Sequence, residues 1–172
     1  IPYMGINHPE LRQQTADYYN CMMRLDSYIG DLLKALEASG KAKDTVVVYI
    51  GDHGADLLRG KRTSYEGGVK IPMIIRWPGA KGGQKKKELV TTLDLFPTFC
   101  EIAGVQILKS LPGQSLKPII HGESPKWRKY LFTEFHVHSN HNPWPQRTVR
   151  GARYKLIYNP LAGEVNPGYA FT

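Results

Sequence analysis

Between positions 11 and 38, apolar side chains return every three or four residues: Tyr18, Met22, Leu25, Ile29, Leu32, Leu33 and Leu36, with Asp, Arg and Lys opposite. That period predicts one long amphipathic helix, closed by Ser39-Gly40, where glycine supplies the left-handed turn residue. The pattern then changes. Thr45-Val46-Val47-Val48-Tyr49-Ile50 is an unbroken β-branched and aromatic run, which fits a central strand covered on both faces. A helix feeding such a strand is half of an α/β crossover unit. A second apolar run at 71–77 ends at the turn pair Pro78-Gly79. A second helix is expected over 95–103, with Asp94 as N-cap, Pro97 in the first turn and Gly104 just past the end. Phe96, Phe99, Cys100 and Ala103 would then face the core. After Gly122 the texture becomes short alternating segments near 130–135, 148–150 and 155–158, separated by Pro, Asn and Gly, as in a small antiparallel sheet. The expected class is α/β. Residues 1–122 would form a partial mixed or parallel sheet flanked by helices, and 123–172 would begin a smaller C-terminal α+β subdomain with an antiparallel sheet.

Composition narrows this only a little. A chain of 172 residues suits one domain or one and a fraction, and 41% hydrophobic with 22% charged residues argues against disorder. No apolar run approaches the roughly 20 residues of a membrane-spanning helix. Lys+Arg at 23 against Asp+Glu at 15 leaves a net charge of +8. The basic residues are interspersed with acidic ones and no aromatic-basic recognition motif occurs, so nucleic acid is not the expected partner. Lys85-Lys86-Lys87 after Gly82-Gly83 is a solvated loop tip on the simplest reading. A positive field also suits an anionic substrate, which it steers inward. Cys21 and Cys100 are too few for a disulfide framework. The opening Ile1-Pro2-Tyr3 has no leader, and the expectation is an internal piece with part of its active site elsewhere. The oligomeric state is not legible.

The chemistry concentrates directly after the valine-rich run, in Gly51-Asp52-His53-Gly54. In open α/β sheets ligands bind beyond the carboxyl ends of strands, and Asp and His are both ready metal ligands. A simple turn is the plain alternative. Arg59, Gly60, Lys61 and Arg62 then place three cations within ten residues of Asp52, with Gly54 and Gly60 as expected flexible points. A metal beside a cationic loop is what an anionic tetrahedral group needs; a solvent-exposed basic loop is the alternative. Tyr65-Glu66-Gly67-Gly68 leads into the next strand, its paired glycines suggesting a tight bend.

The ordered series Asp52-His53-Gly54, Gly60-Lys61, Tyr65-Glu66-Gly67-Gly68, Ile71-Pro72 and Arg76-Trp77-Pro78-Gly79 resembles the second half of a type I sulfatase of the alkaline-phosphatase superfamily. So do Tyr18-Tyr19 and Leu25-Asp26 upstream, and Thr92-Leu93-Asp94-Leu95-Phe96-Pro97-Thr98, Ala103-Gly104 and Gly113-Gln114-Ser115-Leu116 downstream. Arg147-Thr148-Val149-Arg150 with Tyr154-Lys155-Leu156-Ile157 resembles the family's C-terminal sheet. The resemblance implies a hydrolase of sulfate esters or sulfamates, with an exported home (periplasmic, secreted or lysosomal). It implies a calcium ion, with zinc or magnesium as alternatives, held partly by Asp52 and His53, and a catalytic sulfate contact from Lys61, with Arg62 taken as a second substrate-binding residue. His53 is either a metal ligand or a hydrogen-bonding catalytic group, since calcium prefers oxygen. The family's formylglycine nucleophile arises from Cys in Cys-x-Pro-Ser-Arg. Neither Cys21-Met22-Met23-Arg24 nor Cys100-Glu101-Ile102-Ala103 matches, so the nucleophile and the early metal ligands are expected outside this stretch.

A second candidate is Phe135-His136-Val137-His138-Ser139-Asn140-His141-Asn142. His-x-His projects two rings to one side of a strand, with Glu134 on the same face. With Arg147, His136 and His138 are taken as substrate-binding residues of a sugar subsite; an ordinary polar loop is the alternative. Glu134 with the later histidines and Arg147 is similar to the branch near heparan N-sulfatases, which implies a sulfated glycan substrate. Two other readings stay open: a zinc-dependent phosphodiesterase or phosphonate hydrolase of the same superfamily, and a non-catalytic glycan-binding relative.

Overall fold

The computed structural model describes residues 7–57, 59–137 and 143–164. The chain forms two compact units, Ile1–Pro78 and Gly79–Thr172.

In the first unit, helix α1 runs Pro9–Ala38. Proline at its first position has no N–H to leave unpaired and a φ already suited to a helix. At the other end the Ser39 N–H donates to the Ala35 carbonyl, and Gly40 turns the chain at φ 71°. Leu11, Tyr18, Ile29, Leu33 and Leu36 of the apolar stripe are half-buried, while Met22, Leu25 and Leu32 remain exposed. Length explains this: the helix is about 45 Å long, whereas the four-residue strands beside it in sequence span about 13 Å. Strand β1 is Val47–Ile50 and pairs antiparallel with β2, Met73–Arg76, in the register Val47 to Arg76 and Ile50 to Met73. A mixed sheet contains such a pair; the parallel neighbour expected for β1 has no counterpart among the described residues. The Gly51 N–H donates to the Pro72 carbonyl at 3.2 Å, extending the ladder one step past β1. Arg76 donates to Glu37 at 2.6 Å, tying the end of α1 to the end of β2. Between the strands, Glu66–Val69 forms helix α2, a single turn where a bend was expected.

In the second unit a 3-10 turn, Thr92–Asp94, leads into α3, Leu95–Ile102. Asp94 does not cap α3 with its side chain, contrary to expectation. Its carboxylate accepts instead from the Thr91 and Gln114 N–H groups and from Arg128. The buried side of α3 is correspondingly Asp94, Pro97 and Thr98, while Phe96, Phe99 and Ala103 are exposed. Thr98 accepts from the Leu116 N–H, so the segment before α4 (Lys117–Ile120) closes over α3 and buries Leu116 and Ile119. Strands β3 (Leu131–Val137), β4 (Pro143–Arg150) and β5 (Lys155–Tyr158) make an antiparallel sheet in the order β3-β4-β5. β4 starts earlier than its pattern indicated, because prolines obscured it. The β3–β4 ladder slips between Phe135 and Val137, opposite Trp144-Pro145, where a residue without an N–H is tolerated.

Candidate active site at the end of strand β1

β1 delivers Asp52 and His53 just past Gly51, the residue after its end. The His53 N–H donates to Asp52 Oδ1 at 2.9 Å, and His53 Nε2 lies 3.2 Å from Asp52 Oδ2. On the other side of the ring, Nδ1 is 2.9 Å from the Gly54 carbonyl. A carbonyl only accepts, so the proton belongs on Nδ1. Nε2 and a carboxylate oxygen therefore converge, an arrangement that a proton or a cation between them stabilises. Two donors 3.2 Å apart fit one edge of a coordination polyhedron with metal–ligand bonds of about 2.0–2.6 Å. Asp52 is 86% exposed, leaving its outer lobe open. No group of three or more His, Cys, Asp or Glu residues converges among the described residues.

The following loop is held by glycine packing. The Gly54 N–H donates to the Gly68 carbonyl at 2.8 Å, and a Cβ on Gly54 would lie 1.6 Å from the Gly67 oxygen. At Gly60 a Cβ would meet the Ala55 oxygen at 2.0 Å, and at Gly68 the Thr63 oxygen at 2.3 Å. Gly54 and Gly60 are thus points of close backbone approach and not the flexible points expected from sequence. The Lys61 N–H donates to the Ala55 carbonyl at 2.8 Å and the Gly60 N–H to Leu57 at 2.9 Å, while Thr63 Oγ1 donates to the Gly60 carbonyl at 2.7 Å. Arg59 and Arg62, on either side of Gly60-Lys61, have φ of 59° and 70°. Left-handed backbone at such residues costs roughly 1–2 kcal/mol each, which the surrounding hydrogen bonds must offset.

Lys61 is half-buried and its ammonium makes no ion pair among the described residues. Arg62, in contrast, donates to Asp56 at 3.1 Å. Asp56 carries no signal in the sequence because its pairing with Arg62 is made across an irregular loop, where neither helix nor strand periodicity applies.

The second unit carries the other candidates. His136 lies at the β3–β4 slip, its Nε2 3.3 Å from Glu134 Oε2. Glu134 is opposite Arg147 and Arg147 opposite Tyr158, a row across one face of the sheet. That face is the exposed one and also presents Phe132 and Leu156; the other buries Gln146 and Thr148. His138 lies outside the described residues, as does His141.

A sulfatase family model matches residues 4–105. Among curated proteins, an N-acetylglucosamine-6-O-sulfatase of Bacteroides thetaiotaomicron is 33% identical over 156 residues, 86% of this chain and 28% of the relative. Arylsulfatase K of Xenopus laevis is 36% identical over 147 residues, covering 83% of this chain and 26% of the relative. Among solved structures, a 2-O GAG sulfatase superposes with a TM-score of 0.81 at 29% identity, over 90% of this chain and 35% of that one. A sulfatase in complex with its substrate D-glucosamine-2-N,6-O-disulfate gives 0.74 at 29% identity, over 84% and 31%. The chain thus spans about a quarter to a third of the length of its relatives.

Proposed function

From the premise that the chain belongs to the sulfatase family, with its alkaline-phosphatase-like α/β fold, we propose that it supplies part of the metal-binding and sulfate-binding apparatus of an enzyme that hydrolyses sulfate esters or sulfamates on sulfated glycans. The observation that carries this is the convergence of Asp52 Oδ2 and His53 Nε2 at the end of β1, with Lys61 on the loop that follows. Asp52 and His53 would hold a divalent cation, calcium on the family resemblance. When bound, the ion supplies positive charge at the sulfate oxygens.

This chain's residues do the rest of the work assigned to it. Cleavage moves negative charge onto the ester oxygen and the sulfate oxygens, so a cation fixed there favours the transition state over the ground state. Lys61 suits that position: a compact charge with donors that adapt to a tetrahedral anion. The Gly54 carbonyl orients the His53 ring so that Nε2 faces the site. A glycan substrate is supported by the names of relatives, which include a Delta 4,5-hexuronate-2-O-sulfatase. His136 and Arg147, on the exposed face of the second unit's sheet, are proposed contacts to the sugar. The nucleophile is assigned to neither Cys21 nor Cys100.

One observation favours a second reading. A nitrogen donor at His53 suits zinc better than calcium, and a phosphonate monoester hydrolase from Silicibacter pomeroyi superposes with a TM-score of 0.63 at 27% identity, over 80% of this chain and 33% of that one. Substrate choice decides between them. The full-length protein should release sulfate from 6-O- or N-sulfated D-glucosamine or from a 2-O-sulfated hexuronate. Hydrolysis of a phosphonate monoester with no sulfate release from any of these would overturn the sulfatase reading.

A further inference from the structure

The structure assigns Asp56 and Arg62 a positioning role: their ion pair closes the loop that carries Lys61 and fixes the backbone from which the lysine's ammonium reaches out. This inference rests on the reading of Lys61 as the sulfate contact. Two rungs cross the loop side by side. The backbone rung joins the Lys61 N–H to the Ala55 carbonyl at 2.8 Å. The side-chain rung joins Arg62 to Asp56 at 3.1 Å, one residue further along on each limb. Lys61 is therefore anchored at its own amide and again at its neighbour's side chain, leaving only its own side-chain torsions free.

An exposed ion pair contributes little to global stability, and this one is 42% exposed at Arg62 and 58% at Asp56. Its effect here is local. Arg62 sits at φ 70°, a backbone state that most side chains avoid. The Asp56 carboxylate gives the arginine a specific partner in that conformation and thereby favours the loop geometry that presents Lys61. Pairing also satisfies the Arg62 charge within the loop, leaving Lys61 beside it as a cation without an ion pair among the described residues. Sequence alone grouped Arg62 with Lys61 as a second substrate contact; the geometry separates the two roles.

The test is steady-state kinetics of the full-length enzyme with 4-nitrophenyl sulfate, on Asp56→Asn, Arg62→Asn, the exchange Asp56→Arg with Arg62→Asp, and each single change in a Lys61→Ala background. Asn and Asp tolerate left-handed backbone, so the position-62 changes remove the side chain without adding strain. Asp56 is not at a positive φ and accepts Arg. Each single change should lower kcat about tenfold to a hundredfold, the scale of a small misplacement of a reacting contact, with KM nearly unchanged. The exchange should restore most of kcat. In the Lys61→Ala background, Asp56→Asn and Arg62→Asn should have almost no further effect, because the residue they position is gone. Wild-type kcat in both single variants, or full additivity with Lys61→Ala, would overturn the inference. So would an Arg62→Asn variant whose KM rises while Asp56→Asn is silent and the exchange rescues nothing, since Arg62 would then touch substrate itself. An active Lys61→Ala enzyme with wild-type kcat would instead remove the underlying assignment of Lys61. Matching thermal melts among the variants would exclude misfolding as the cause.

Discussion

Arg128 grips Asp94 with two nitrogens, at 2.6 Å to Oδ2 and 2.5 Å to Oδ1, and the Asp94 carboxylate is completely buried. The same carboxylate receives the N–H groups of Thr91 and Gln114, and Arg128 also donates to the Leu89 carbonyl. One buried anion thus joins the 3-10 turn before α3, the segment leading to α4 and the approach to β3. Removing the cation would leave that carboxylate without its charged partner, a loss on the scale of about 3–5 kcal/mol for a broken buried pair. Arg128→Ala should lower the unfolding free energy obtained from denaturant titration accordingly, whereas Lys34→Ala, breaking an exposed pair on α1, should lower it by no more than about 1 kcal/mol. Equal small shifts would contradict the organising role of Asp94.

Two glycines should respond to alanine with opposite signs. At Gly54 a methyl would collide with the Gly67 carbonyl at 1.6 Å, so the loop must open. Gly54→Ala should destabilise by about 1–3 kcal/mol or more and abolish most turnover. At Gly30, inside α1, nothing lies within 4 Å of the added carbon, and alanine should stabilise the helix by about 0.5–1 kcal/mol. Thermal unfolding of the two variants checks the pair, and a tolerated Gly54→Ala would refute the close packing of the loop.

Lys61→Ala should reduce kcat by roughly 10²–10³, the scale for losing one charge-stabilising contact at a developing anion. An unchanged rate constant would place Lys61 among the solvent-facing cations.

The elements were legible wherever side-chain periodicity alone determines them. α1 follows from its apolar stripe and its Gly40 stop, and β1 and β2 from β-branched runs. β4 was shortened because Pro143 and Pro145 argue locally against a strand, and only the slipped ladder accommodates them. Asp94 has the local signature of a cap, and nothing in the sequence points to its partner Arg128, 34 residues away, a distance over which there is no spacing rule. For the same reason Gly54 and Gly60 looked flexible: glycine serves a hinge and a close approach equally well, and only the position of the Gly67 and Ala55 carbonyls distinguishes them. Asp52 and His53 are neighbours in the chain, but extended neighbours point to opposite faces, so the 3.2 Å approach of their side chains comes from the turn that follows β1 and not from adjacency.

The decisive experiment is an anomalous-difference map from crystals of the full-length protein grown with calcium. A peak bonded to Asp52 Oδ2 at about 2.3–2.6 Å is expected for calcium, lost in Asp52→Ala. A map that places every bound ion elsewhere, with Asp52 and His53 still joined only to each other, would contradict it.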